Sequence, residues 1–263
     1  MSIPKNHEEP SVFTPENLLR EARRQKSLPE GTVPRFCVLD PDGDIVQNLV
    51  TSGRANLNPY WACYHTQMYN FTHKGIEFGI VGNAVGASFA VLVAEEMFAS
   101  GCELLIGMTS AGQIVSKGPP PYFVLIDKAL RDEGTSYHYL PPASFSKINP
   151  KLMECLTGVF ENSHPPVFLG ATWTTDAPFR ETETAINYSR SLGILGVEME
   201  ASALYAFSEA KSHPVICFAH ITNRMENVEN DFEKGEAQGS LDAMEVITKA
   251  ARAWLARSRD KSG

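Results

Sequence analysis

Two carboxylates, Glu198 and Glu200, flank Met199 within the stretch GVEMEASALY at residues 196–205. In an extended chain Gly196, Glu198 and Glu200 share one face, and Leu195, Val197 and Met199 share the other. Burying two acids side by side is costly unless each finds a partner. A carboxylate has acceptor sites for two hydroxyl donors, which suits a vicinal diol, while a thioether beside it offers apolar contact to a sugar or a base. The plainer alternative is that Glu200 caps the helix signalled by ASALYAFSEAK (201–211) or pairs with a lysine.

Other polar clusters fall where strands should end: Asp40 to Asp44, Asn83, Thr109 and Ser110, Asp176, and Thr222 to Arg224. Apolar runs at 35–40, 74–82, 102–108, 121–130, 166–175, 194–200 and 213–223 read as strands. Helical patterns are expected near 16–25 and over 83–101, 149–161, 181–193, 201–211 and 240–258, the last with Ser240 as its cap. TSAGQI (109–114) reads as a small-residue loop. The alternation implies an α/β fold, a single domain with a central, mostly parallel or mixed twisted sheet covered by helices. Residues 1–34 read as an N-terminal arm and 35–263 as the catalytic domain. In such folds the chemistry lies at the carboxyl ends of the strands.

Composition narrows the classes. A formal charge of -8, with 23 basic against 31 acidic residues and no basic tract, argues against nucleic acid as partner. The five cysteines lack metal-ligand spacing, no pair of histidines has metalloprotease spacing, and no metal is expected. GNAVGASF lacks the full dinucleotide fingerprint, so no nicotinamide cofactor is expected either. No window approaches a membrane span and no apolar leader opens the chain, giving the expectation of a cytoplasmic protein with no membrane partner.

GVEMEASALY followed by AHITN (219–223) resembles the nucleoside phosphorylase family, whose members act on purine nucleosides, uridine or methylthioadenosine. The resemblance runs from about Cys37 to the C-terminus and is supported by KGIEFGIVGNAVG, LIGMTSAGQI and LRDEGTSYHY. It implies a ribose site made of Glu198, Met199 and Glu200, in which Glu200 takes the sugar hydroxyls, Met199 packs on the nucleoside and Glu198 is an accessory acid. It places Asn223 and Arg224 at the base, with Phe179 stacking and Arg180 donating to a carbonyl from the other wall. Asp176 is expected to order that wall through backbone amides. Asn223 is neutral, with both donor and acceptor, and favours an oxo-base over adenine. His138 either enters the pocket or satisfies a sheet edge, and His220 reads as a core histidine. The resemblance also implies a homo-oligomer built from dimers, with the neighbour contributing from NPYWACYH (58–65), where His65 is the candidate and Trp61 and Tyr64 are expected at the interface.

The sequence departs from the family where phosphate should bind. The arginine of the first turn is replaced by Gly43, that of the central loop by Leu105, and no arginine stands at Tyr64 or His65. Inorganic phosphate as co-substrate then requires Arg54, Arg131, His65 or Arg224 to fold into a site with Thr109 and Ser110. The alternative is water activated by a first-turn acid, Asp42 or Asp44, as in members that hydrolyse methylthioadenosine. The balance of the two tips narrowly to a phosphorylase.

Overall fold

The structure, a computed structural model, describes residues 3–225, 229 and 231–260. A mixed ten-stranded sheet wrapped by helices forms its centre. Strand β1 (Phe36–Asp40) is buried along its whole length because it lies between two parallel neighbours, β4 (Ile76–Gly82) and β5 (Leu104–Gln113). β4 is reached through a hairpin from β3 (Met68–His73), and β2 (Ala55–Leu57) pairs with β3 on the far side. Lys74 and Gly75 turn that hairpin with φ of 48° and 81°, the left-handed pair that a tight two-residue turn demands.

The second half of the chain closes on the first. β6 (Tyr122–Asp132) lies between β8 (Val167–Thr175) and β10 (Val215–Asn223) and also carries β7 (Phe145–Lys147). β9 (Gly196–Glu198) bridges β8 and β5, and β10 returns to pair with β5. The path β5–β10–β6–β8–β9–β5 is therefore a closed ring of strands, and its closure needs close backbone approach. A Cβ on Gly196 would sit 2.7 Å from Ile221 Cδ1 and 3.1 Å from the Gly112 carbonyl.

That closure explains why TSAGQI is not a loop. Thr109 to Gln113 continue β5, because β10 and β9 supply hydrogen-bond partners that local sequence does not reveal. Helix α1 (Pro15–Lys26) packs Leu19 and Ala22 on Ala62, tying the N-terminal segment to the rest. Helix α2 (Asp44–Thr51), unsuspected from the sequence, follows β1 directly. α3 (Ala87–Ala99) starts four residues later than its apolar pattern, since Asn83 and Gly86 take positive φ of 61° and 91°. The short α4 (Ser136–Tyr139), α5 (Pro150–Leu156) and α6 (Glu183–Ser191) cover the outside. α7 (Ala201–Lys211) is buried on all sides from Ala201 to Ser208, which its small residues permit. α8 (Ser240–Asp260) closes the chain, and Ser240 does not cap it: its hydroxyl donates to the Asp44 carbonyl, 3.1 Å away, tying α8 to the start of α2. Trp61, expected at the surface, is only 5% exposed, with its indole N–H donating to Thr66 Oγ1 at 3.0 Å. No helix among the described residues is long and apolar enough to cross a membrane.

Candidate active site

Two strand ends and the middle of a third strand meet beside these acids: β1 with the turn after it, β9 at Glu198, and β5 at Thr109 and Ser110. β9 stops at Glu198, and Glu200 sits at the head of α7 in a non-strand conformation (φ -131°, ψ -39°). The two acids therefore do not share a face as an extended chain would have them.

Glu198 turns inward and spends itself on the protein. Its Oε1 accepts from the hydroxyls of Thr172 (3.0 Å) and Thr174 (2.5 Å), and its Oε2 accepts from the amides of Glu200 and Ala201, both at 2.7 Å. Those amides belong to the start of α7, where helix N–H groups lack internal partners. Burial pushes its pKa up, against the pull of these donors. As a ribose ligand Glu198 is corrected: its acceptor positions are filled, and it acts as an anchor for the residue two places on.

Glu200 is the carboxylate left available. It is 3% exposed; Oε1 accepts from the Gly86 amide at 2.7 Å, and Oε2 accepts from Thr109 Oγ1 at 2.5 Å and, longer, from the Met199 amide at 3.3 Å. Burial first, and the Glu198 charge second, raise its pKa to about 7. Of roughly four acceptor positions on a carboxylate, one is open and one is held only by the long Met199 contact. Half-buried Met199 lies next to Glu200 in the chain.

The first turn lies on the other side of Thr109. Asp40 ends β1 buried, with Oδ2 accepting from the Val46 amide at 3.0 Å. Burial, and less strongly the charges of Asp42 and Asp44, raise its pKa to about 7. Asp42 accepts from the Ser110 hydroxyl. Gly43 has φ of 81°, a conformation that L side chains rarely adopt, and a Cβ there would also lie 2.5 Å from the Asn83 side-chain oxygen. Gly43 at the family's arginine position is thus matched by the local backbone.

The cation of this site is Lys234, which sequence reasoning missed. Its ammonium donates to Asp42 Oδ2 at 2.9 Å and to Asp44 Oδ2 at 2.5 Å, reaching in from the segment ahead of α8. The two aspartates raise its pKa, while burial opposes them. DFEKGEAQ (231–238) carries no periodic signal, so only a charge count of the first turn could have prompted a search for this lysine. His220, on β10 opposite Ser110, stacks on Phe123 at 4.5 Å, and burial and then Lys234 lower its pKa to about 4. It is a neutral core histidine.

The cationic candidates are elsewhere. Arg131 is buried, donating from Nε to Ser136 Oγ (2.8 Å), from Nη1 to the Pro141 carbonyl (2.8 Å) and from Nη2 to the Leu140 carbonyl (3.2 Å). It organises the segment around α4 and is corrected as a phosphate or water ligand. Arg54 lies past the far end of α2, about 12 Å of helix from Asp44. The Arg224 side chain is exposed, and its amide donates to Asp231. His65 is exposed with its ring near Phe89, lining a cavity of about 520 Å3 with Lys26, Tyr64, Tyr69 and Asn83.

Asn223 ends β10 opposite Gly112, two residues along β5 from Ser110, and is nearly buried. Met225 follows, its sulfur 2.1 Å from where a Gly112 Cβ would be. The other proposed wall is not assembled: Phe179 is 100% exposed in a short turn at Pro178–Arg180, and Arg180 beside it is exposed too. Asp176 accepts from the Gly134 amide at 2.8 Å, ordering its loop through the backbone. Among the described residues no group of three or more His, Cys, Asp or Glu could hold a metal ion.

The profile of the Phosphorylase superfamily matches residues 35–253. A guanosine phosphorylase of Halorubrum lacusprofundi is 21% identical over 145 residues, a match that spans 55% of this chain and 60% of that relative's length. Among solved structures, a uridine phosphorylase from Vibrio fischeri, complexed with 6-hydroxy-1-naphthoic acid, superposes with a TM-score of 0.70 at 21% identity. It covers 85% of this chain and 92% of its own. An AMP nucleosidase from Bacteroides thetaiotaomicron superposes with a TM-score of 0.69 at 18% identity, covering 94% of this chain and 100% of its own. At these identities the structural likeness is one of fold.

Proposed function

This chain belongs to the Phosphorylase superfamily, and on that footing we propose that it cleaves the N-glycosidic bond of a ribonucleoside with an oxo-base, using water as the attacking group. The observation that carries the proposal is the pairing of Glu200 with the first turn across Thr109. A buried carboxylate with acceptor positions left over is joined by Thr109 to the strand that carries Ser110, and Ser110 leads to a cluster of Asp42, Asp44 and Lys234.

In this reading Glu200 and Met199 hold the ribose, so that the anomeric carbon faces the first turn. Water adds to that carbon as the bond to the base breaks and its electron pair passes to the base nitrogen. Asp42, oriented by Ser110, takes the proton from water, and the departing base anion takes a proton from solvent. The side-chain amide of Asn223 donates to the base while negative charge gathers on it. Preorganised donors aimed at developing charge are among the larger contributions to such a barrier.

The choice of water follows from charge. Two carboxylates and one ammonium leave the cluster net negative, which repels a phosphate dianion and activates water. Arg54, Arg131, Arg224 and His65 supply no compensating contact there. One observation favours the phosphorolytic reading of the sequence: Lys234 is a cation at the site, able to hold phosphate if it leaves the aspartates.

Base release with and without inorganic phosphate, followed by identification of the sugar, separates the two. Free ribose at an unchanged rate in phosphate-free buffer is the expected result. A strict requirement for phosphate, with ribose 1-phosphate as product, would replace water by phosphate. A panel of inosine, guanosine, uridine and adenosine tests the base, and exclusive cleavage of adenosine would overturn the role given to Asn223.

A further inference from the structure

The segment that delivers Lys234 is fastened to one residue, Asp44, at two points. The Lys234 ammonium donates to Asp44 Oδ2 at 2.5 Å, and the Ser240 hydroxyl donates to the Asp44 carbonyl at 3.1 Å. Just before it, the Glu233 amide donates to the Thr222 carbonyl of β10 at 2.6 Å. Between Lys234 and Ser240 the backbone is strained: Ala237 and Gln238 take left-handed φ of 51° and 56°, which a Cβ disfavours. Gly239 follows at 74°, where a Cβ would lie 2.3 Å from His220 Cε1 and 2.6 Å from the Lys234 carbonyl oxygen. A backbone wound this way persists only where its surroundings hold it. Asp44 holds it at both ends.

The two aspartates serve Lys234 differently. Asp42 Oδ2 accepts from the ammonium and also from the Ser110 hydroxyl. Asp44, the first residue of α2, spends its carboxylate on the ammonium. Neither end of the cluster is sealed from solvent, since the Lys234 side chain is 23% exposed and that of Asp42 33%. An ion from solution therefore meets the cluster, and with two acids against one base a phosphate dianion is repelled.

We propose, on the hydrolytic reading above, that Asp44 decides which nucleophile attacks. It is a positioning residue that acts through Lys234: by holding the ammonium on the first turn it denies phosphate a cation and leaves the anomeric carbon to water. Without the Asp44 charge, Asp42 and Lys234 balance, and the ammonium can turn a donor to a phosphate oxygen beside the Ser110 hydroxyl. A phosphate oxygen then bonds to the anomeric carbon as the glycosidic bond breaks and its electron pair passes to the base nitrogen. The base anion takes a proton from solvent, and the sugar leaves as ribose 1-phosphate.

The test is Asp44→Asn in the full-length protein, with inorganic phosphate as the probe, followed by calorimetry and 31P NMR, and with the sugar product identified. The unmodified protein is expected to bind no phosphate saturably up to about 10 mM and to release free ribose. Asp44→Asn is expected to bind it at least about tenfold more tightly and to divert product to ribose 1-phosphate. Adding Lys234→Met should abolish the gain. Asp42→Asn changes the charge equally but leaves Asp44 on the ammonium, and should gain less. No gain in Asp44→Asn, a gain that survives loss of Lys234, or an equal gain in Asp42→Asn would each overturn the proposal while free ribose from the unmodified protein upholds the hydrolytic reading. A phosphate requirement in the unmodified protein would overturn both. Asp44→Ser, shorter and uncharged, gives the same comparison if Asp44→Asn fails to fold.

Discussion

Glu200 must be ionised to accept from two hydroxyls, yet its surroundings hold its pKa near 7. Activity is therefore expected to rise with pH through about 7 as the carboxylate forms. The Thr109 hydroxyl and the Gly86 amide favour the ionised form. Thr109→Val should then move the acidic limb of the kcat/KM profile upward, whereas a purely structural role for Thr109 would leave the limb in place. Glu200→Gln should keep the fold and lower ribonucleoside turnover by at least about tenfold, a modest figure for a transition-state contact; unchanged kinetics would remove Glu200 from the mechanism. Asp40 makes a different prediction. Its pKa rises from 3.8 to about 7 on folding, so the folded chain keeps a proton that the unfolded chain has released. The stability from that proton is fully present below about pH 4 and is lost as pH climbs through about 7. Asp40→Asn should flatten this decline in urea unfolding measured from pH 4 to 8. Glu200 was legible in the sequence because its type and its neighbour Met199 name a task. Lys234 was not, since it meets Asp42 from 192 positions away and nothing local announces the meeting.

At the scale of elements, the consequential join is the one between β9 and α7. Glu198 binds the first two free amides at the head of the helix and, through Thr172 and Thr174, ties that head to β8. Glu198→Gln would set an amide N–H2 or a weaker acceptor against those donors. It should cost roughly 1–3 kcal/mol of stability, the range for a spoiled buried hydrogen bond, and lower turnover by displacing Glu200. Glu200→Gln, which disturbs one hydroxyl and two amide donors rather than two hydroxyls and two amides, should cost less stability and more turnover. Denaturation of both variants beside their kinetics distinguishes an anchor from a ligand, and a stability loss at Glu200 as large as that at Glu198 would end this division of labour. The sequence could not show it. A period-two reading gives both acids one face, but β9 has only three residues and the chain turns helical before the alternation is complete. The same limit applied to TSAGQI, whose small residues look like a loop until two strands arrive to pair with them. The long elements were legible: the apolar runs of β1, β8 and β10 and the pattern of α8 carry their own signal.

For the whole molecule, the order of strands and helices was readable and the closed ring was not, because register between distant strands leaves no periodic mark. The ring matters to the site because it brings β5 and β10 together, setting Ser110 opposite His220 and Asn223 opposite Gly112. Assembly belongs to this scale as well. Exposed His65 and partly exposed Tyr64 border the 520 Å3 cavity that reaches Asn83, beside the first turn. A second copy seated there would complete the pocket, and solution sizing is expected to give a dimer or a multiple of dimers. A monomer with full activity would refute this.

The closed ring has one more consequence. β10 lies between β5 and β6, and β5 between β1 and β10 over its first half, so neither presents a long open row of amides and carbonyls. Among the described residues the terminal strands β2 and β7 are each three residues long, and β8 is paired on one side only before Thr172. Strand ends of that length are poor templates for the addition of a foreign strand. Folded chains at high concentration should therefore resist fibril seeding, and the hazard is confined to molecules in which β10 has not yet docked.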